Sequence, residues 1–308
     1  NSKIQFNGTL VMHNYGTRNM FVGNSSGNGT TTSTDNTALG YSALNKVTSG
    51  SYNVGIGSNA LKNDTGGQSN VGIGLSALEG GGAFNGSSNV GIGTQAMSGI
   101  DSGSSNVAIG TNAAATISTG WNNVAIGDTS LGNINGGQEN VAVGSNAGFQ
   151  QRGNDSIFIG YKAGYYMTGN SNNNIVIGSN AGPIAGSAGA FTNKLYIHNS
   201  ASDTPLIYGD FSVPSLTING GLKVADNHWF GVPNLTDAQE STIFGSNTTC
   251  AAGQKGYTYY NTTDAAMKYC DGANLQALGT AGSGITSIAG DTTSAQTLSV
   301  GSAGTAPA

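Results

Sequence analysis

The side chains able to carry chemistry are few and far apart. Histidine occurs only at His13, His198 and His228, with none of the i, i+4 or Cys-paired spacings that gather ligands around a metal ion. The string Gly23-Asn24-Ser25-Ser26-Gly27 has the spacing of a nucleophile elbow. In a chain with 51 glycines among 308 residues, one such match is expected by chance. Cleavage of a polysaccharide needs two carboxylates held on one face, and Asp64, Glu79, Asp101, Asp128 and Glu139 form no fixed acidic pair. The Gly-Gly-x-Gly-x-Asp pattern of calcium-binding solenoids is absent from the sequence. We therefore expect no catalytic residue, no metal and no cofactor.

The only two cysteines, Cys250 and Cys270, bracket the tyrosine-rich segment Gly256 to Tyr269. A hairpin turning at Asn261-Thr262-Thr263-Asp264 brings its ends together and favours a disulfide, two free thiols being the alternative. Closing that loop stabilises by about 3 kcal/mol in the chain-entropy model. Charge is sparse and acidic: 10 basic against 15 acidic residues, a net charge of −5. Nucleic acid, which needs a concentrated basic stripe, is not an expected partner. The sequence contains no apolar run long enough to cross a bilayer as a helix, so no membrane insertion is expected of this segment.

The elements that position these residues come from a repeat. The phrase Asn-Val-(Gly/Ala)-Ile-Gly recurs, and aligning on its last glycine gives Gly23, Gly40, Gly57, Gly74, Gly93, Gly110, Gly127, Gly144, Gly160 and Gly178. The gaps are 17, 17, 17, 19, 17, 17, 17, 16 and 18 residues. A near-fixed period over ten copies describes a solenoid. The expected fold class is all-β: a parallel β-roll or β-solenoid of about ten 17-residue coils, then a β stalk and a small β module. Asn19, Asn36, Asn53, Asn70, Asn89, Asn106, Asn123, Asn140 and Asn174 hold the first place of the phrase, with Ser156 the exception. Asn is a common turn residue, but near-exclusive Asn fits a stacked amide ladder.

Within the phrase, the two large residues are two apart and share a strand face, which we assign to the coil interior. The residue between them then faces outward. In copies two to eight it is Ala38, Gly55, Gly72, Gly91, Ala108, Ala125 and Ala142, an outward column of small residues that implies close packing against something else. An alanine three residues after the glycine, often followed by Leu or Met, reads as a second short strand closing each coil.

The Asn-Val-Ala-Ile-Gly phrase followed by Asn-Ala resembles the head repeat of trimeric autotransporter adhesins of the YadA-like type, which also recurs in phage tail fibres. The resemblance covers about Asn19 to Pro183 and implies a left-handed β-roll packed side by side with two copies of itself. The small column is then the trimer contact. The period here is longer than the family's usual coil. On this reading the chain divides into a lead-in (1–18), the β-roll (19–185), a cap and stalk (186–232), a Cys-flanked β module (233–279) and a Gly/Ser/Thr-rich linker (280–308). Its function is attachment: a non-enzymatic, extracellular trimeric fibre, a phage tail fibre, that meets a host-surface receptor such as a glycan. A bacterial surface adhesin is the alternative, and a fibre-borne depolymerase a third. Candidate receptor contacts are the aromatic residues Phe84 and Trp121 in coil loops and Tyr257, Tyr259 and Tyr260 in the module.

Overall fold

The structure is a computed structural model and describes residues 2–7, 9–184, 191–220, 234–244, 249–250, 257–263, 266–271 and 273–277. His228 and the linker 280–308 lie outside them. The chain forms two compact units, Asn1–Leu222 and Lys223–Ala308.

The first unit is a β-solenoid. A hairpin of β1 (Lys3–Phe6) and β2 (Thr9–His13) leads into β3 (Met20–Val22), after which every coil contributes one three-residue strand. These are β4 (Thr37–Leu39), β5 (Val54–Ile56), β6 (Val71–Ile73), β7 (Val90–Ile92), β8 (Val107–Ile109), β9 (Val124–Ile126), β10 (Val141–Val143), β11 (Ile157–Ile159) and β12 (Ile175–Ile177). Each pairs in parallel with the next, identical columns in register: Val54 on Val71, Gly55 on Gly72, Ile56 on Ile73. The stack continues past the last copy of the phrase, because β13 (Lys194–Ile197) adds an eleventh parallel rung. Then β14 (Ile207–Asp210) and β15 (Ser215–Ile218) close that end with antiparallel pairing. Eleven rungs at about 4.8 Å make a parallel stack roughly 48 Å long.

Two expectations are corrected here. The strand faces are inverted: Ala38, Ala108, Ala125 and Ala142 are fully buried, and Gly55, Gly72 and Gly91 are buried with them, while the flanking Val and Ile side chains are half-buried or exposed. A three-residue strand turns either one or two side chains inward, and the lumen of a 17-residue coil has room for one. The opposite wall supplies the bulk, through Leu44, Leu61, Leu78, Met97 and Leu131. A Cβ on Gly72 would stand 3.1 Å from Leu61 Cγ, and one on Gly91 3.0 Å from Leu78 Cγ.

The second correction concerns that opposite wall, which is a run of turns instead of a strand. Alternate residues there have left-handed backbone, such as Ser42 (φ 55°) and Leu44 (φ 50°). Holding leucine in that region costs about 1–2 kcal/mol per residue. What offsets it is hydrogen bonding between coils: Ser42 N–H donates back to Asn24 O (3.0 Å) and Leu44 N–H forward to Ala60 O (3.0 Å). The glycine ending each phrase has a steric reason. At φ near 129° on Gly57, an added Cβ would meet Gly74 O at 2.4 Å, so no side chain fits between stacked coils.

The second unit contains a four-stranded sheet in the order β16 (Asn234–Leu235), β17 (Thr258–Asn261), β18 (Ala266–Cys270) and β19 (Leu275–Ala277). A helix, α1 (Asp237–Phe244), follows β16. Its start is a capping box: Thr236 N–H donates to Gln239 Oε1 (2.9 Å) and Gln239 N–H to Thr236 Oγ1 (3.4 Å). Cys250 and Cys270 form a disulfide with Cα atoms 6.0 Å apart.

Candidate binding surfaces

Three features of the solenoid decide what its surface can do. The first is the asparagine column, which is internal. Asn89 Oδ1 accepts the N–H of Asn106 (3.0 Å) while its Nδ2 donates to Gly103 O (2.9 Å), and Asn106 repeats both contacts toward Asn123 and Gly120. Amide-to-amide bonds also link Asn106 Nδ2 to Asn89 Oδ1 (3.1 Å) and Asn123 Nδ2 to Asn106 Oδ1 (3.0 Å). Ser156 carries the acceptor role in its coil, its Oγ receiving Asn174 N–H at 3.1 Å. These side chains are buried and fully used between coils, leaving nothing to offer a ligand.

A second ladder, unforeseen from the sequence, runs two residues before the first. Ser51 Oγ accepts Thr34 N–H (3.1 Å), Ser104 Oγ accepts Ser87 N–H (3.1 Å), Asn154 Oδ1 accepts Gln138 N–H (2.9 Å) and Asn172 Oδ1 accepts Asn154 N–H (2.8 Å). The signal was a column of Thr, Ser, Gln and Asn broken only by Trp121. Serine-rich loops disguised it.

The second feature is the outward face of the strands. Its two columns run from Met20 to Leu195 and from Val22 to Ile197, and of 22 positions only Thr37 is polar. Leu39, Ile109, Ile126, Val143 and Ile159 are among those left exposed. The seven small residues expected to form the trimer contact therefore cannot reach another chain; the apolar surface is built by their neighbours.

The third feature is a polar cleft of about 410 Å³ in the loops of the last full coils. The coil ending at Gly160 takes 16 residues and lies between coils of 17 and 18, and all three contribute loop residues to the lining. Asn135 and Gln138 form one wall, Arg152 and Asn154 the floor, Asn170 and Asn172 the other wall.

Of the expected receptor contacts, Trp121 is 39% exposed and Tyr257 59% exposed, whereas Tyr260 is half-buried. Phe84 and Tyr259 are core and cannot serve as such contacts. Phe84 belongs to the 19-residue coil, whose extra length folds the ring inward beside the interior column of Val47 and Ile100. Tyr259 points inward from β17 under the alternation of that strand. An aromatic group passed over in the sequence sits on neighbouring coils: Phe149 stacks on Tyr165 (5.3 Å), Tyr166 meets Tyr165 edge-on (5.1 Å), and Lys162 Nζ lies 5.2 Å from the Tyr161 ring centre.

The titratable groups do not assemble a reactive centre among the described residues. His13 is buried against Tyr15 and Phe21 in the N-terminal hairpin, donates Nε2–H to Ser26 O (2.7 Å), and burial lowers its pKa. His198 Nδ1 accepts Leu206 N–H (3.3 Å). Glu139 and Asp155 occupy adjacent rungs, and the neighbouring Asp155 carboxyl raises the Glu139 pKa. Asp64 is fully buried in the interior column, with Oδ1 accepting Gly67 N–H (2.8 Å) and Oδ2 unpartnered. Burial pushes its pKa up to about 7. No group of three or more His, Cys, Asp or Glu side chains able to hold a metal ion occurs among the described residues, and none of their helices is long and apolar enough to cross a membrane.

Comparison of the chain with protein-family models, with curated proteins and with solved structures finds no match.

Proposed function

We propose that this chain is one subunit of a parallel homotrimeric, non-enzymatic extracellular fibre, of the phage tail-fibre kind, that attaches to a receptor on a host surface. The observation that carries this reading is the outward apolar face of the solenoid. At roughly 48 Å by about 10 Å it presents on the order of 500 Å² of uncharged, mostly aliphatic surface, at the upper end of what a monomer leaves exposed. Such a face needs a partner as long and as straight as itself, and another copy of the same chain meets that requirement. The number three comes from the resemblance of the Asn-Val-Ala-Ile-Gly phrase to YadA-like head repeats. A rod with its hydrogen-bonding columns turned inward supplies reach and rigidity, leaving recognition to the loops and the Cys-flanked module.

The test is the mass of the purified chain in solution by sedimentation equilibrium at micromolar concentration. A species of three times the 30.7 kDa chain mass is expected. A stable monomer would end the reading.

A further inference from the structure

We propose that the cleft around Arg152 is a binding site for a saccharide that carries a carboxylate. This deepens the attachment reading by naming the chemistry recognised and the residues that recognise it, and the site lies wholly within one chain.

The cleft is rich in donors, for reasons internal to the fold. The second ladder commits Asn154 Oδ1 to Gln138 N–H and Asn172 Oδ1 to Asn154 N–H. Because a backbone N–H can only donate, those side-chain atoms must be the carbonyl oxygens, and each amide is left with its Nδ2 donors for the cleft. Arg152 adds five N–H donors in a planar fork. The described residues offer its exposed guanidinium no ion pair. The nearest acids in sequence, Glu139 and Asp155, do not line the cleft. A ligand that satisfies this lining is rich in acceptors and has one anionic group matched to a guanidinium. A carboxylate accepts the fork in two parallel bonds, and ring and hydroxyl oxygens accept from the amides.

The rest of the site also fits a sugar. Asn135 and Asn170 are exposed side chains on opposite walls, where an amide can both donate to and accept from vicinal hydroxyls. Trp121 stands one coil before Gln138 in the same column, its chain held there by Glu139 N–H to Trp121 O (3.0 Å). Its half-exposed ring offers the apolar platform on which a pyranose face stacks. The volume, about 410 Å³, accommodates one to two sugar rings by the usual size of small-ligand clefts. The coils of 16 and 18 residues follow one another at this place, after three consecutive coils of 17, and insertions in solenoids map to loops on one face.

The probes are 3′-sialyllactose and a glucuronate-containing tetrasaccharide, with lactose as the neutral control and sodium acetate as the free-carboxylate control. Binding to the full chain is followed by saturation-transfer NMR and titration calorimetry. We expect at least one acidic probe to bind, lactose and acetate to bind at least tenfold more weakly, Arg152→Gln to weaken the acidic probe at least tenfold, and Asn170→Ala about threefold. Neither substituted side chain enters a ladder, so both variants should keep the wild-type melting temperature and mass. The proposal is overturned if neither acidic probe binds, if lactose or acetate binds as well as the acidic sugar, or if Arg152→Gln leaves affinity unchanged. Failure of the fibre reading is a different result: a monomer by sedimentation retires the fibre, and a trimer without saccharide binding retires only the cleft.

Discussion

The ring of Phe158 fills the space that a side chain at Gly164 would need: a Cβ on Gly164 would lie 2.3 Å from Phe158 Cδ1 and Cε1. The same exchange occurs at the other end, where a Cβ on Gly27 would lie 2.3 Å from Phe21 Cδ2. Between them most coils reverse the order, with Gly or Ala on the strand and Leu or Met on the turn wall, as in Gly72 and Leu78; the wall is small only at Ala114 and at Gly148, where Phe158 of the next coil also reaches in, its Cδ2 2.9 Å from where a Cβ would stand. In those coils the interior space is divided between two columns, bulk in one matched by its absence in the other. The prediction is a compensating pair. Phe158→Ala alone should cost about 3–5 kcal/mol, as for any buried phenylalanine emptied to alanine. Gly164→Leu alone should prevent the coil from closing, and Phe158→Ala with Gly164→Leu should recover a good part of the loss. Denaturant unfolding of all four proteins gives the coupling energy; strict additivity would refute the reciprocity.

That reciprocity also explains what the sequence did and did not disclose. The glycine period, the strand phrase and the asparagine ladder were legible, because identical residues stacked in register must meet their own kind. Which strand face turns inward was not, since alternation separates two faces without naming the inner one. The available clue was the exceptions: Phe21 and Phe158 in the small column coincide with Gly27 and Gly164 in the Leu column, a pattern that only a shared interior produces. Phe84 was misplaced because a longer coil looks like a longer loop. The helix α1 was passed over although Thr236-Asp237-Ala238-Gln239 has the form of a capping box. The cleft coincides with gap lengths of 16 and 18, which are visible in the alignment but do not by themselves name a binding surface.

Assembly and folding should separate cleanly along one strand. Ile109 is exposed and Ala108 is buried beside it on β8. Ile109→Asp, made together with Ile126→Asp, should leave a folded chain with an unchanged circular dichroism spectrum and the mass of a monomer. Ala108→Leu should destabilise the coil itself by about 1–3 kcal/mol through overpacking, with assembly lost only as folding is lost. A trimer that survives both aspartates would show that another face carries the contact.

Cutting the amide ladder should be costly in proportion to the partners orphaned. Asn106→Ala strands the buried N–H of Asn123 and the carbonyl of Gly120, and each unsatisfied group costs about 1–3 kcal/mol. Asn106→Ser should cost less, since a hydroxyl at this column already accepts the next coil's N–H at Ser156. Hydrogen exchange at the Asn123 amide is the direct readout, and alanine should accelerate it more than serine.

Asp64 makes the stability of the solenoid depend on pH. Its carboxyl replaces the aliphatic residue that other coils place at the same interior position, such as Val47 or Ile117, and its Oδ2 has no partner. Burial raises the folded-state pKa to about 7 from an ordinary carboxylate value of 3.8. The folded chain therefore holds a proton at pH values where the unfolded chain has released it. The associated stability is fully present below pH 3.8 and is lost as pH rises through 7. A shift of this size corresponds to roughly 4 kcal/mol between the two limits. Asp64→Asn retains an acceptor for Gly67 N–H and carries no charge at any pH. The variant should melt higher than the parent at pH 8 and converge with it near pH 4. Because His13, Glu139, Asp35 and Asp210 also have shifted pKa values, the informative quantity is the difference between the two melting curves at each pH. A difference that stays constant from pH 4 to pH 8 would mean that Asp64 does not titrate in this window and that its carboxylate has found compensation in the folded state.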